Sequence, residues 1–334
     1  MGYIAEDTTG EFTAQITRLL RDESTDNIPL LLEIVEGGGV NRRIIGYLFG
    51  IAVFYAKKSV ADQALSILRQ YAGPETVKQA EKLREGATYH YNESEYLGKY
   101  QNPEFDIFDF ILANKMCLWH RASVGRSAYF EVSHRTLHLA NYPERSVSAS
   151  IATLDFIRYI TLPAHKNFDL VAAMEHLQHL PLESVHLENI RLDTFPTLLF
   201  GLSRLRTLTI KKGTYRPRSP MQVFAEHSPL GSSTLEKLSI DGYPISGEQF
   251  LGPFPSLKEV EITRCSLERI DFLKDSLQLT HLILRGNHLT YLPDLLGRCT
   301  RLKWLDASNN PFKKIELDLR ELHELVHLEI SLNR

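Results

Sequence analysis

The chain has 334 residues, 43% of them hydrophobic and 24% charged, with a formal net charge of −3. That length accommodates two folded units, and the composition is that of an ordinary soluble protein with no sign of bulk disorder. Without a global basic field, electrostatic attachment to nucleic acid or to an anionic membrane has no driving force, so neither is expected as a partner.

From Met1 to Asp7 there is no basic region followed by an apolar core, so no secretory signal is expected. Glu6 also stands where a myristoylation signal requires Ser or Thr. The longest apolar run, Ile44 to Ala56, is 13 residues, too short to span a bilayer, and predicts a buried helix. Cys117, Cys265 and Cys299 form no CxxC pair, which suits a reducing compartment. A cytoplasmic location is the expectation, with secretion left open.

Residues 1–85 read as an all-α module. Phe12, Ile16, Leu19 and Leu20 form one apolar stripe of a first helix. A second begins near Asp26 and Asn27, has Pro29 in its first turn and ends at Gly37, Gly38 and Gly39. A third, about Asn41 to Lys57, is apolar on nearly every side and is expected to be central. Ser59 and Asp62 have the spacing of a capping box for a fourth helix, carrying Val60, Ala64, Leu65 and Leu68. Gly73 and Pro74 stop it and open a fifth. Consecutive helices with short loops resemble the HEAT or armadillo kind of helical repeat, or equally a small bundle.

Residues 86–130 form a connecting segment. Tyr89, Tyr91, Tyr96 and Tyr100 fall here with few aliphatic neighbours, as a loop packed by its own aromatics or as an exposed recognition patch. Phe105, Phe108, Phe110, Ile111, Leu112, Met116, Leu118 and Trp119 then predict a helix too apolar to remain wet. It is expected to cap the first turn of the region that begins near residue 131.

From residue 137 onward a single pattern recurs nine times. Its clearest copy is Leu279, Leu282, Leu284, Asn287, Leu289, Leu292 and Pro293, restated as Leu302, Leu305, Ala307, Asn310, Phe312 and Ile315, then as Leu325, Leu328, Ile330 and Asn333, each 23 residues on. Earlier copies carry Val260/Ile262, Leu238/Ile240, Leu208/Ile210, Val185/Leu187, Ile160/Leu162 and Leu137/Leu139. A fixed period of this size means stacked turns, each burying its apolar face on the next.

This pattern resembles the leucine-rich repeat family, in the bacterial or typical variants with Leu-Pro after the asparagine slot, here Leu292-Pro293 and Phe195-Pro196. The resemblance implies an α/β solenoid, a horseshoe of about nine parallel strands over residues 131–334. It also implies that Asn287, Asn310 and Asn333 bond to the backbone of adjoining turns, with Cys265 in the same slot.

Strand alternation sends the two leucine-like positions inward and the residues around them to the concave face. One predicted row is Thr136, Tyr159, Ser184, Thr207, Lys237, Glu259, His281, Trp304 and His327. A second is His138, Thr161, His186, Thr209, Ser239, Glu261, Ile283, Asp306 and Glu329, and a third is Ala140, Pro163, Glu188, Lys211, Asp241, Thr263, Arg285, Ser308 and Ser331. The residues expected to bind a partner are Glu259, Glu261, His281, Arg285, Trp304, Asp306, His327 and Glu329. Trp304 stands out, because solubility alone does not require it. The acidic bias of the last turns predicts a protein or peptide with basic side chains.

One turn is long: Leu205 to Leu235 spans 30 residues and contains Lys211, Lys212, Arg216 and Arg218 among Pro and Gly, a possible second contact. His165, His176, His179 and His186 crowd 22 residues, but the phasing separates His186 from His176 and His179, so no metal site is expected. No nucleophile, paired catalytic carboxylates, Walker loop or dinucleotide fingerprint stands out, so neither catalysis nor a cofactor is expected. The leading expectation is a non-enzymatic interaction scaffold. The alternative is the substrate-recognition portion of an enzyme such as the bacterial secreted ubiquitin ligases, which resemble this chain in pairing helices with leucine-rich repeats but carry a further catalytic domain. Ending within a repeat at Arg334 leaves an apolar edge, so either self-association through that end or an imposed boundary is expected.

Overall fold

A computed structural model describes residues 10–21, 27–55, 57–86, 104–120, 131–133, 135–140, 142, 144–163, 165, 167–190, 192, 195–212, 221–222, 231–246, 252–313 and 318–331. The chain divides into two compact units, residues 1–138 with 147–157, and residues 139–146 with 158–334. The tyrosine cluster from Tyr89 to Tyr100, Arg216, Arg218 and Asn333 lie outside the described residues.

The first unit contains α1 (Glu11–Arg21), α2 (Asn27–Gly38), α3 (Arg42–Phe54), α4 (Lys58–Tyr71), α5 (Pro74–Gly86) and α6 (Ile107–His120). The apolar run becomes α3, which is buried continuously from Ile44 to Val53 and packs against α4, α5 and α6. Asn41 caps it by accepting a hydrogen bond from the Ile44 N–H at 3.0 Å. On α1 the buried stripe is Thr13, Ile16, Thr17 and Leu20, with Phe12 and Leu19 at its half-buried margins.

The capping box expected at Ser59 and Asp62 does not form. The helix starts at Lys58, so Ser59 is already inside it, and the cap position Lys57 makes no side-chain hydrogen bond. Asp62 is drawn instead into an ion pair with Arg84 of α5. Before α5, both carboxylate oxygens of Glu104 accept the Gly73 N–H, at 2.9 and 3.0 Å. The segment expected to cap the repeats buries Phe108, Phe110, Ile111 and Leu112 and packs against α3, where Phe49 meets Phe105 at 4.9 Å and Phe110 at 6.0 Å.

A polar chain crosses this apolar unit. Asp109 of α6, 2% exposed, lies 3.1 Å from Arg43 Nε and accepts from Ser150 Oγ at 3.3 Å, and Arg43 also donates to Ser150. Nearby, the Tyr47 hydroxyl meets Thr17 Oγ1 at 2.9 Å and Thr17 donates to the Thr13 carbonyl. Burial pushes the Asp109 carboxyl up to about 7 despite Arg43, with Asp106 adding to the rise. Burial likewise raises the Tyr47 hydroxyl above the usual tyrosine range.

Also in the first unit, β1 (Glu131–Ser133) and β2 (Thr136–His138) form an antiparallel hairpin, with Val132 opposite Leu137. In the second unit, Leu139 donates its N–H to the Thr161 carbonyl at 2.7 Å. The second core residue of the first copy is thereby tied to the ladder that eight later strands continue.

Those strands are β3 (Tyr159–Leu162), β4 (Ser184–Glu188), β5 (Thr207–Lys211), β7 (Lys237–Asp241), β9 (Glu259–Thr263), β10 (His281–Ile283), β11 (Trp304–Asp306) and β12 (His327–Glu329). Each pairs in parallel with the next, without a register slip. Within the long turn, β6 (Met221–Gln222) pairs in parallel with β8 (Ile245–Ser246), so the extra residues include a strand of a second small sheet.

The reason for this regularity is the fixed inward column. Leu208, Leu238, Val260, Leu282 and Leu305 occupy one paired register and are all buried. A one-residue slip would turn every one of them outward. Across from the strands run short 3-10 helices, Thr197–Gly201, Asp271–Leu273 and Asp294–Arg298, and one α-helix, α7 (Leu170–Leu177). There Phe200, Phe254 and Phe272 stack edge to face, at 5.2 and 6.4 Å. Edge-to-face contact is a preferred arrangement of buried aromatic rings.

The bend after the strand has its own recurrent chemistry. Asn189, Gly242, Arg264, Gly286 and Asn309, each five residues after the first strand position, have φ between 54° and 75°. Glycine and asparagine accept this left-handed backbone readily, whereas arginine is strained there. Arg264 is held by the Asp241 carboxylate, with Nη2 at 2.7 and 2.5 Å from its two oxygens.

Candidate functional site

The strands of the second unit place the predicted rows side by side. Tyr159, Ser184, Thr207, Lys237, Glu259, His281, Trp304 and His327 lie in one paired register, and Thr161, His186, Thr209, Ser239, Glu261, Ile283, Asp306 and Glu329 in the next. From Tyr159 and Thr161 onward, these two rows read from the sequence are therefore in register across the sheet. What each side chain does within its row is a separate matter.

Trp304 is 37% exposed and stacks on His327, with ring centroids 3.6 Å apart and planes inclined by 14°. His281, on the strand at its other side, is exposed, and its Nδ1 lies 3.0 Å from Thr280 Oγ1. Parallel in-register pairing explains this alignment: aromatic residues at the same position of successive turns must stand next to each other.

The acids of this face divide into two groups. Glu259 is paired with Lys237 at 2.6 Å, and Asp241 with Arg264 and Thr263. Asp306 is a correction to the predicted contact set, because it is 1% exposed and cannot meet a partner directly. Its carboxylate accepts from the Ser308 N–H and Oγ and from Arg285 Nη2 at 2.5 Å. Burial pushes this carboxyl up, but the hydrogen bonds from Ser308 and Arg285 outweigh that and hold it below the usual carboxylate range. Arg285 remains partly exposed and is pinned in place by Asp306.

Glu261 and Glu329 are different. Both are exposed, and neither forms an ion pair among the described residues. Glu261 accepts one hydrogen bond, from Ser239 Oγ at 3.2 Å. The uncompensated charge of this half of the face is therefore negative and sits on two carboxylates of one row, with Ile283, half-buried, between them.

Of the possible loop contact, Lys211 is exposed at the end of β5 and Lys212 follows it, donating its N–H to the Asp241 carbonyl at 3.0 Å. His186 of β4 has its Nε2 3.4 Å from the Glu188 carboxylate, while His176 lies on α7 and His165 Nε2 contacts the Glu144 carbonyl. Among the described residues, no three potential ligands come together around one point.

Two of the three asparagine slots, at Asn287 and Asn310, are built as the family resemblance implies. Asn287 Oδ1 accepts from the Cys265 and Leu267 N–H groups, and its Nδ2 donates to the Ile262 and Leu284 carbonyls. Asn310 repeats this one turn later, with the Leu289 N–H and the Leu284, Ala307 and Ser308 carbonyls. In the preceding turn the Cys265 thiol takes the place, donating to the Thr263 and Ile240 carbonyls. Burial pushes that thiol up to about 12, and burial raises Cys299 as well. A thiol so far above neutrality is a poor nucleophile.

A further row, one position upstream of those predicted, alternates in sign: Arg158, Glu183, Arg206, Glu236 and Lys258. Arg158 and Glu183 are 3.8 Å apart, and Glu236 is held between Arg206 at 2.9 Å and Lys258 at 2.8 Å. The sequence rows, centred on the leucines, do not include it, although the same repeat spacing carries the alternation. At the last turn this position is Val326, 87% exposed, next to the partly exposed Leu328.

No family model matches the chain, and a search of curated proteins finds no match. Among solved structures, it is similar to a leucine-rich repeat protein of Leptospira interrogans, at 20% identity over 58% of this chain and 48% of that one, with a TM-score of 0.46. It is also similar to internalin C2 of Listeria monocytogenes, at 18% identity over 60% of this chain and 80% of that one, TM-score 0.46. A plant peptide hormone receptor in complex with RGF2 aligns at 17% identity over 59% of this chain and 32% of that one, TM-score 0.40. The chain spans about half the length of the Leptospira protein. In-register parallel strands recurring every 22 to 25 residues apart from the one long turn, joined through buried asparagine side chains, give the second unit the solenoid fold of leucine-rich repeats.

Proposed function

We propose that the chain is a non-enzymatic interaction scaffold, gripping a protein or peptide on the concave face of its repeat sheet. The observation that carries this reading is the exposed Trp304, braced by His327 and accompanied by the exposed carboxylates of Glu261 and Glu329, which form no ion pair among the described residues. A large apolar ring held in one orientation loses little freedom on binding, and the ring's surroundings supply polar specificity. Such a surface is preorganised by the sheet beneath it, since Asp306, Ser308 and Arg285 fix the backbone and its cover before any partner arrives. The two open carboxylates favour a partner with basic side chains.

The test is a peptide-display selection on the purified chain, followed by a counter-screen on Trp304→Ala combined with Glu261→Lys. Binders lost on the double variant, with an unchanged melting temperature, support this face. Binders that persist at full affinity remove it.

A further inference from the structure

The charge and shape of this face specify more than a basic partner. Glu261 and Glu329 belong to the same row, three strand intervals apart, with Ile283 and the buried Asp306 at the two positions between them. At roughly 4.8 Å per strand, the two carboxylates stand about 14 Å apart. Beside that gap, one row over, is Trp304. Along a line crossing the strands the surface therefore reads carboxylate, Ile283, the Arg285 guanidinium held by the buried Asp306, carboxylate.

We infer that the occupant is an extended peptide segment laid across the sheet, carrying arginines four residues apart with an apolar side chain midway between them. In an extended chain, alternate side chains share a face and each residue advances about 3.4 Å, so positions i and i+4 are separated by roughly 14 Å, matching the two carboxylates. The side chain at i+2 then falls over Ile283 and the edge of Trp304. Spacings of three or five residues would send one basic group to the wrong face.

Arginine fits better than lysine for two reasons. Its planar fork can engage a carboxylate through two parallel hydrogen bonds, and its flat guanidinium can pack against the rim of an aromatic stack while doing so. Glu329 sits one strand from Trp304, on the strand whose His327 stacks on the ring, so a guanidinium at that carboxylate lies beside the edge of the Trp304–His327 stack. The face's own cations do not compete, because Lys237 is engaged by Glu259 and Arg285 by Asp306.

This inference rests on the reading of the face as a binding surface, and the experiment separates the two. Fluorescein-labelled synthetic peptides with two arginines and a central leucine are titrated against the full chain by anisotropy, with arginine spacings of three, four and five. The four-spaced peptide is expected to bind at least tenfold more tightly than the others, and to weaken several-fold when lysine replaces arginine. Glu261→Lys and Glu329→Lys should each reduce its affinity at least tenfold, and a peptide with glutamate in place of one arginine should recover binding to the Glu261→Lys chain. Equal affinity at all spacings, indifference to both glutamate variants, or no binding of the four-spaced peptide at millimolar concentration would overturn the arginine frame. Trp304→Ala separates the two layers: peptides of another kind, selected by display and lost on this variant, would keep the face and discard the frame.

Discussion

Trp304 and His327 meet ring on ring across neighbouring strands, 3.6 Å apart and nearly parallel. The contact follows from register alone, since the two residues are 23 positions apart in sequence and directly paired in the sheet. It holds the exposed indole against a second ring, in one orientation.

Removing the brace should therefore be felt in binding and hardly at all in folding. For His327→Ala, affinity for a display-selected peptide is expected to fall at least fivefold, while the melting temperature moves by less than about 2 °C, because both rings are partly solvent-exposed. Peptide titration and thermal unfolding of the same preparations check this. A variant with full affinity would show that the stack is incidental.

Asp306 should behave in the opposite way. Substitution by alanine strands the Ser308 N–H and hydroxyl and releases Arg285, at a cost of about 1–3 kcal/mol in unfolding free energy. Its carboxyl is held below the usual range in the folded state, so its contribution is present above that range and is lost as pH falls through the folded value. Urea unfolding over acidic pH should show a shallower acid limb for Asp306→Asn than for the wild type.

The inter-turn amides are expected to dominate repeat stability. Asn310→Ala leaves the Leu289 N–H and the Leu284, Ala307 and Ser308 carbonyls without their side-chain partner in a buried setting, a loss of about 2–4 kcal/mol. Hydrogen exchange should rise at Leu289 before it rises in β4 or β5. In the same region, Cys265 and Cys299 should resist alkylation until the chain is unfolded, which peptide mapping of the labelled thiols reads directly.

In the helical unit the expected pH dependence runs the other way. Asp109 binds its proton more tightly folded, at about 7, than in an unfolded chain, at about 3.9. Folded protein therefore holds the extra proton between those values, and the stabilisation present at low pH is lost as pH rises through about 7. Thermal unfolding at about pH 5.5 and about pH 8, on either side of that folded value, should differ by several degrees for the wild type, and by much less for Asp109→Asn. An unchanged difference in the variant would assign the effect to another group.

How much of this was legible in the sequence depended on the reach of the interaction. The inward leucines, the rows and the central helix Arg42–Phe54 are consequences of local periodicity combined with repetition: each turn is the boundary condition for the next, so one spacing propagates through the whole sheet. The amphipathic edges of α1 and the start of α4 were less legible, because Thr17 and Asp62 find partners on other helices.

The candidate site shows the same division. Sequence placed Glu259, Glu261, Asp306 and Glu329 in rows beside Trp304, because alternation and period fix which row a residue joins. Only the tertiary structure decided which of them remain available. Lys237 and Arg285 approach from neighbouring strands, neutralise Glu259 and Asp306, and leave Glu261 and Glu329 open. Pairing across strands is set by side-chain length and burial at each crossing, quantities that depend on the neighbouring turn and are absent from any one copy of the repeat.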